Sequence, residues 1–147
     1  MVTSTNAARQ LERVDYGKIW WVTLVAAGVA AVINAIIFII GDALGAFPKT
    51  VLLPSNNEPL SLGAVIFISI VGVIAGGIVF AVIGRFSRRP IRLFTIVALV
   101  FLVLSFGSPF SVPNAPAGYI IALLLMHVVA GLAIIGLLTT LARRQIN

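Results

Sequence analysis

From Leu93 to Ala142 the chain runs for fifty residues without one Asp, Glu, Lys or Arg. A helix needs about 20 predominantly apolar residues to cross the hydrocarbon core of a bilayer. Inside lipid every backbone N–H and C=O must be satisfied internally, which leaves helices and closed barrels as the spanning structures. The run is long enough for two crossings. Pro109, Pro113 and Pro116 interrupt it, and proline cannot continue a regular helix. The stretch therefore reads as a membrane hairpin, with spans at about 91–107 and 117–142 joined by a tight turn. The first of these is near the short limit for a span, and Arg92 can snorkel to lengthen it.

Two more charge-free runs precede the hairpin, 19–40 and 60–84. A cleaved signal peptide has an apolar region of roughly 7 to 15 residues, so the longer run at 19–40 is read as an uncleaved span. Composition agrees. The chain is 61% hydrophobic and only 10% charged, with a mean hydropathy of +1.17, whereas soluble domains are nearer half apolar and about a quarter charged. The expected architecture is all-α: an antiparallel bundle of four transmembrane helices, with short tails at 1–18 and 143–147.

The net charge of +6 and pI of about 11.3 would point to nucleic acid in a soluble protein. Here the cations stand at the ends of apolar runs, so they report topology and contact with the lipid bilayer, and no nucleic-acid partner is expected. The N-terminal tail carries Arg9, Arg13 and Lys18, the middle turn Arg85, Arg88, Arg89 and Arg92, and the C-terminal tail Arg143 and Arg144. The first loop has only Lys49 and the last loop none. The positive-inside rule then places both termini and the arginine turn in the cytoplasm. Trp20 and Trp21 fit the cytoplasmic interface and Tyr119 the outer one, where amphipathic rings prefer to lie. Ala7 to Tyr16 is read as at most a short surface helix. In the 41–59 loop, Pro48 and Pro54 oppose a helix, and Thr50 to Leu53 is expected to dip against the bundle rim or pair as a short strand.

Few side chains here carry chemistry. Cysteine is absent, which excludes disulfides and thiolate sites. No paired-carboxylate, Ser-His-Asp, phosphate-loop or dinucleotide pattern is present, so no enzyme activity, cofactor or metal site is expected. His127 is the one ionisable group within a span, which makes it a functional candidate by default. Two readings stand: a proton relay, a ligand contact or a cofactor ligand on one side, and a neutral ring hydrogen-bonded to a neighbouring helix to set register on the other. Asn34 is the one carboxamide within the spans, on a seam with Ala27, Ala30 and Ala31. Both residues fall in the outer half of the bilayer, so they are expected to approach each other directly or through one water.

Gly72, Gly76 and Gly77, with Gly131 beside His127, form small-residue faces of the kind that lets helices approach closely. They are expected to pack within the bundle or against another subunit. Asp42 and Lys49 are read as a solvated pair at the outer rim, with a cavity mouth as the other reading. The four arginines of the middle turn suit anionic headgroups or an acidic partner, or serve as a topology signal alone.

Several local patterns occur together. A small-residue first span ends in a polar-containing half (Ala26 to Asp42), and Arg89-Pro90-Ile91-Arg92 precedes the third span. Leu104-Ser105-Phe106-Gly107-Ser108-Pro109 closes that span, and Met126-His127 is followed by small and aliphatic residues. In these the chain resembles a family of small bacterial four-span membrane proteins described as a domain of unknown function, over about residues 18 to 144. The resemblance implies a four-helix integral membrane fold in the bacterial inner membrane and brings no activity. Two expectations follow for function. One is a structural or accessory subunit that packs in a larger membrane complex or with itself. The other is a small-molecule or lipid-binding or transport protein with an outward pocket near Asn34 and His127.

Overall fold

The computed structural model describes residues 14–142. Residues 1–13, which hold most of the expected surface helix, and 143–147, with Arg143 and Arg144, lie outside the described residues. Five helices occur in chain order: α1 (Tyr16–Ala43), α2 (Leu62–Phe86), α3 (Pro90–Ser105), the single turn α4 (Gly107–Phe110) and α5 (Ala117–Leu141). Counting α3 and α4 together as Pro90–Phe110, four segments are long and apolar enough to cross a membrane. The chain is thus an all-helical, four-span membrane protein.

Local chemistry sets the helix ends. α1 starts three residues before the charge-free run because Asp15 caps it, its carboxylate accepting from the Gly17 N–H at 3.1 Å. Such a cap satisfies one of the free N–H groups of the first turn. Ser61 does the same for α2 through the Ala64 N–H at 3.2 Å. Pro90 opens α3, where its missing N–H costs nothing. The expected third span is broken at Phe106, and α4 carries Pro109 into the turn.

α1 is the centre of the bundle and packs along both α2 and α5, while α3 touches α2 and α5 and makes no contact with α1. Ala27, Ala30, Ala31 and Asn34 form the buried stripe of α1. Small side chains suit that place because lipid supplies no hydrophobic drive between helices, and close packing has to hold them together. Thr23 fills the space beside Gly77, and Ile134 of α5 lies on Gly76. Leu102 of α3 lies on Gly131, and Phe94 meets Phe80 edge-on with centroids 4.7 Å apart. At the end holding both chain termini of the bundle, the Asp15 N–H bonds the Ala142 carbonyl at 3.0 Å.

The other end is capped by the long loop. Leu52 and Pro59 form one antiparallel bridge, and the Leu53 N–H donates to the Glu58 carbonyl at 2.8 Å. Val51 and Phe47 are buried against the rim, so the loop both dips and pairs, though over a single bridge. Phe47 stacks on Phe38 at 5.0 Å and meets Tyr119 edge-on at 5.2 Å. Tyr119 is consequently 0% exposed, and its expected role as an interface anchor is corrected: the loop folds over it. Asp42 and Lys49 pair at 3.3 Å with both side chains exposed, which is the solvated rim pair.

Candidate functional site: a crevice between α2 and α5

Below the loop cap, α2 and α5 part around a cavity of about 460 Å³. Two features bound it. On the loop side the third span runs on through Phe106, in helical backbone, into the α4 turn, and Ser108, Ser111 and Val112 stand in the wall there. Toward the arginine end, Ile134 on Gly76 and Leu102 on Gly131 close the gap again. Between these limits the walls are Val65, Ile68, Ser69 and Gly72 of α2 and Leu123, Met126, His127 and Ala130 of α5. The loop contributes Leu53, Pro54, Ser55 and Leu60, and the α4 turn Ser108, Ser111 and Val112. Asn34 reaches it from α1. The volume falls in the range of ordinary small-molecule sites, and no Asp, Glu, Lys or Arg stands in the wall.

Asn34 is the polar centre of this site. It is 3% exposed, and its amide donates to Ser69 Oγ at 2.9 Å and to the Met126 carbonyl at 3.3 Å. One side chain thereby ties α1 to both α2 and α5. The carbonyl can only accept, which fixes the amide's orientation. The Oδ1 atom is left buried without a hydrogen-bond partner, a cost usually avoided in a folded interior.

Asn34 and His127 share this cavity but are not bonded to each other. The His127 Nδ1–H turns back on its own helix and donates to the Leu123 carbonyl at 2.7 Å. The ring bonds its own helix, so the expected bond to a neighbouring helix is not what holds it. In the neutral ring this arrangement leaves Nε2 as an acceptor. The partner that Asn34 takes is Ser69. A signal for it existed: Ser69 is the only hydroxyl within the apolar run of α2 between its Ser61 cap and Arg85. Its distance from the loop-side end of α2 is comparable to that of Asn34 from the same end of α1.

The remaining candidates separate. Gly76 and Gly77 are spent inside the bundle, Gly131 receives α3, and only Gly72 faces open space, on the cavity wall. Arg85, Arg88, Arg89 and Arg92 lie exposed at the far end of the bundle, beside an exposed Phe86. Asp42 and Lys49 are not part of the cavity wall. Among the described residues no three His, Asp or Glu side chains converge as metal ligands. The arrangement offers an apolar recess with hydrogen-bonding groups.

The model of a family of unknown function, DUF6069, matches residues 14–144. No curated protein and no solved structure matches the chain.

Proposed function

We propose that this chain, which belongs to the DUF6069 family, is a small membrane protein that binds an apolar small molecule or lipid between α2 and α5. The observation that supports this reading is the cavity of about 460 Å³ that reaches Asn34. Pockets with apolar walls and a few convergent polar groups are the ordinary form of ligand sites. On the charge-based topology, with the arginine turn in the cytoplasm, the cavity faces outward. Ile68, 60% exposed, stands on its wall, so a ligand has a route from the bilayer as well as past the loop.

The accessory-subunit reading rested on the absence of catalytic chemistry together with small-residue faces such as that of Gly72, Gly76 and Gly77. Two of those three glycines contact side chains of the same bundle, which shifts the weight to ligand binding. The test is purification in a mild detergent followed by mass spectrometry of extracted lipophiles, for the wild type and for Gly72→Leu. A Cβ at residue 72 meets nothing within 4 Å and Gly72 lies on the cavity wall, so the leucine is expected to extend into the cavity, with the thermal melt of the variant checking that the bundle is intact. A compound retained by the wild type and lost from the variant is the expected result. Equal extracts from the two proteins would overturn the reading.

A further inference from the structure

We infer that the ligand is an uncharged amphiphile bearing a hydrogen-bond donor, a lipid hydroxyl above all, an inference that rests on the ligand-binding reading above. Three polar side chains meet at the cavity's deep end: Asn34, Ser69 and His127. Asn34 Oδ1 is buried and unpartnered while the amide N–H groups are already engaged. His127 directs its Nδ1–H to Leu123, so the neutral ring has Nε2 left to accept. Ser69 Oγ accepts from Asn34 and keeps its own hydrogen to donate, so a ligand hydroxyl, which both donates and accepts, matches the set better than a group that does only one.

No Asp, Glu, Lys or Arg stands in the wall to pair a carboxylate, phosphate or ammonium, and an unpaired buried charge is far more costly than a neutral polar group, so with His127 neutral the wall suits an uncharged ligand. The rest of the wall is largely aliphatic, from Val65 and Ile68 on α2 to Leu123 and Ala130 on α5. A hydroxyl at the deep end with its hydrocarbon body along that wall would give the orphaned oxygen a donor. An ether of the same shape has none to give. A site built to hydrogen-bond a ligand group discriminates against the analogue that lacks it.

The experiment uses the full chain in lipid nanodiscs and photoactivatable diazirine probes on one dodecyl chain: the alcohol, its methyl ether and the primary ammonium. Crosslinks are mapped by mass spectrometry as each probe is titrated. The alcohol is expected to label α2 and α5 around the cavity saturably, at about tenfold lower concentration than the ether, the factor that one net hydrogen bond supplies. Asn34→Leu and His127→Phe are each expected to narrow that ratio, while Gly72→Leu removes labelling by both probes. Equal, saturable labelling by alcohol and ether in the wild type would overturn the donor inference and leave the pocket reading standing. Stronger labelling by the ammonium would overturn the uncharged class. Absence of saturable labelling by any probe would sink the pocket reading as well. The wild-type comparison decides the matter even if Asn34→Leu fails to fold.

Discussion

Asn34 donates two hydrogen bonds across the bundle and receives none. Interhelical hydrogen bonds in membranes are worth on the order of 0.6 to 2 kcal/mol, so Ser69→Ala should lower stability by about that much. Asn34→Ala should cost more, because it loses both partners. Equilibrium unfolding in mixed detergent micelles checks the order of the two. The glycines give a sharper contrast. A methyl group at Gly77 runs into the Thr23 side chain, whereas one at Gly72 meets open space. Overpacking typically costs about 1 to 3 kcal/mol, so Gly77→Ala should destabilise by that amount and Gly72→Ala should be close to neutral in the same assay. The sequence marks all these glycines alike as a small-residue face. Which of them a neighbour occupies depends on the helix opposite, and that is a property of the assembled bundle.

Among the four long helices, α3 is the least secured, since it packs on α2 and α5 and not on the central helix. Phe94 against Phe80 is its main anchor. Truncating a buried Phe costs about 3 to 5 kcal/mol, and Phe94→Ala is expected to raise hydrogen exchange in residues 90–105 before it does so in α1. Uniform exchange across all helices would contradict that ranking. The loop between α1 and α2 is held by Phe47, which touches both Phe38 and Tyr119. Phe47→Ala should open it to protease while the spans stay protected. Removing the ion pair with Lys49→Ala should change little, as exposed pairs contribute about 0 to 1 kcal/mol. The spans were legible in the chain because length and lack of charge suffice to mark them. The position of Tyr119 was not: an aromatic ring near a span end looks the same whether it meets headgroups or a loop folded over it.

For the molecule as a whole, the charge pattern predicts a topology that labelling can decide. The chain contains no cysteine, so single introduced thiols report without background. Ser55→Cys in the loop should react with an impermeant maleimide on intact cells, and Ser87→Cys in the arginine turn only after permeabilisation. The reverse pattern would invert the bundle and turn the cavity toward the cytoplasm. The sequence by itself determined that the chain makes four helical crossings and where their polar exceptions lie. Apolar length and charge placement act locally and along the membrane normal, so they can be read one residue after another. Only the tertiary structure decided that Asn34 takes Ser69 and Met126 as partners, and that His127 turns to its own helix. It alone showed the cavity between α2 and α5. These depend on the rotation of each helix about its axis and on which neighbour it meets. Lipid solvates every apolar face alike, so hydrophobicity along the chain carries almost no record of either.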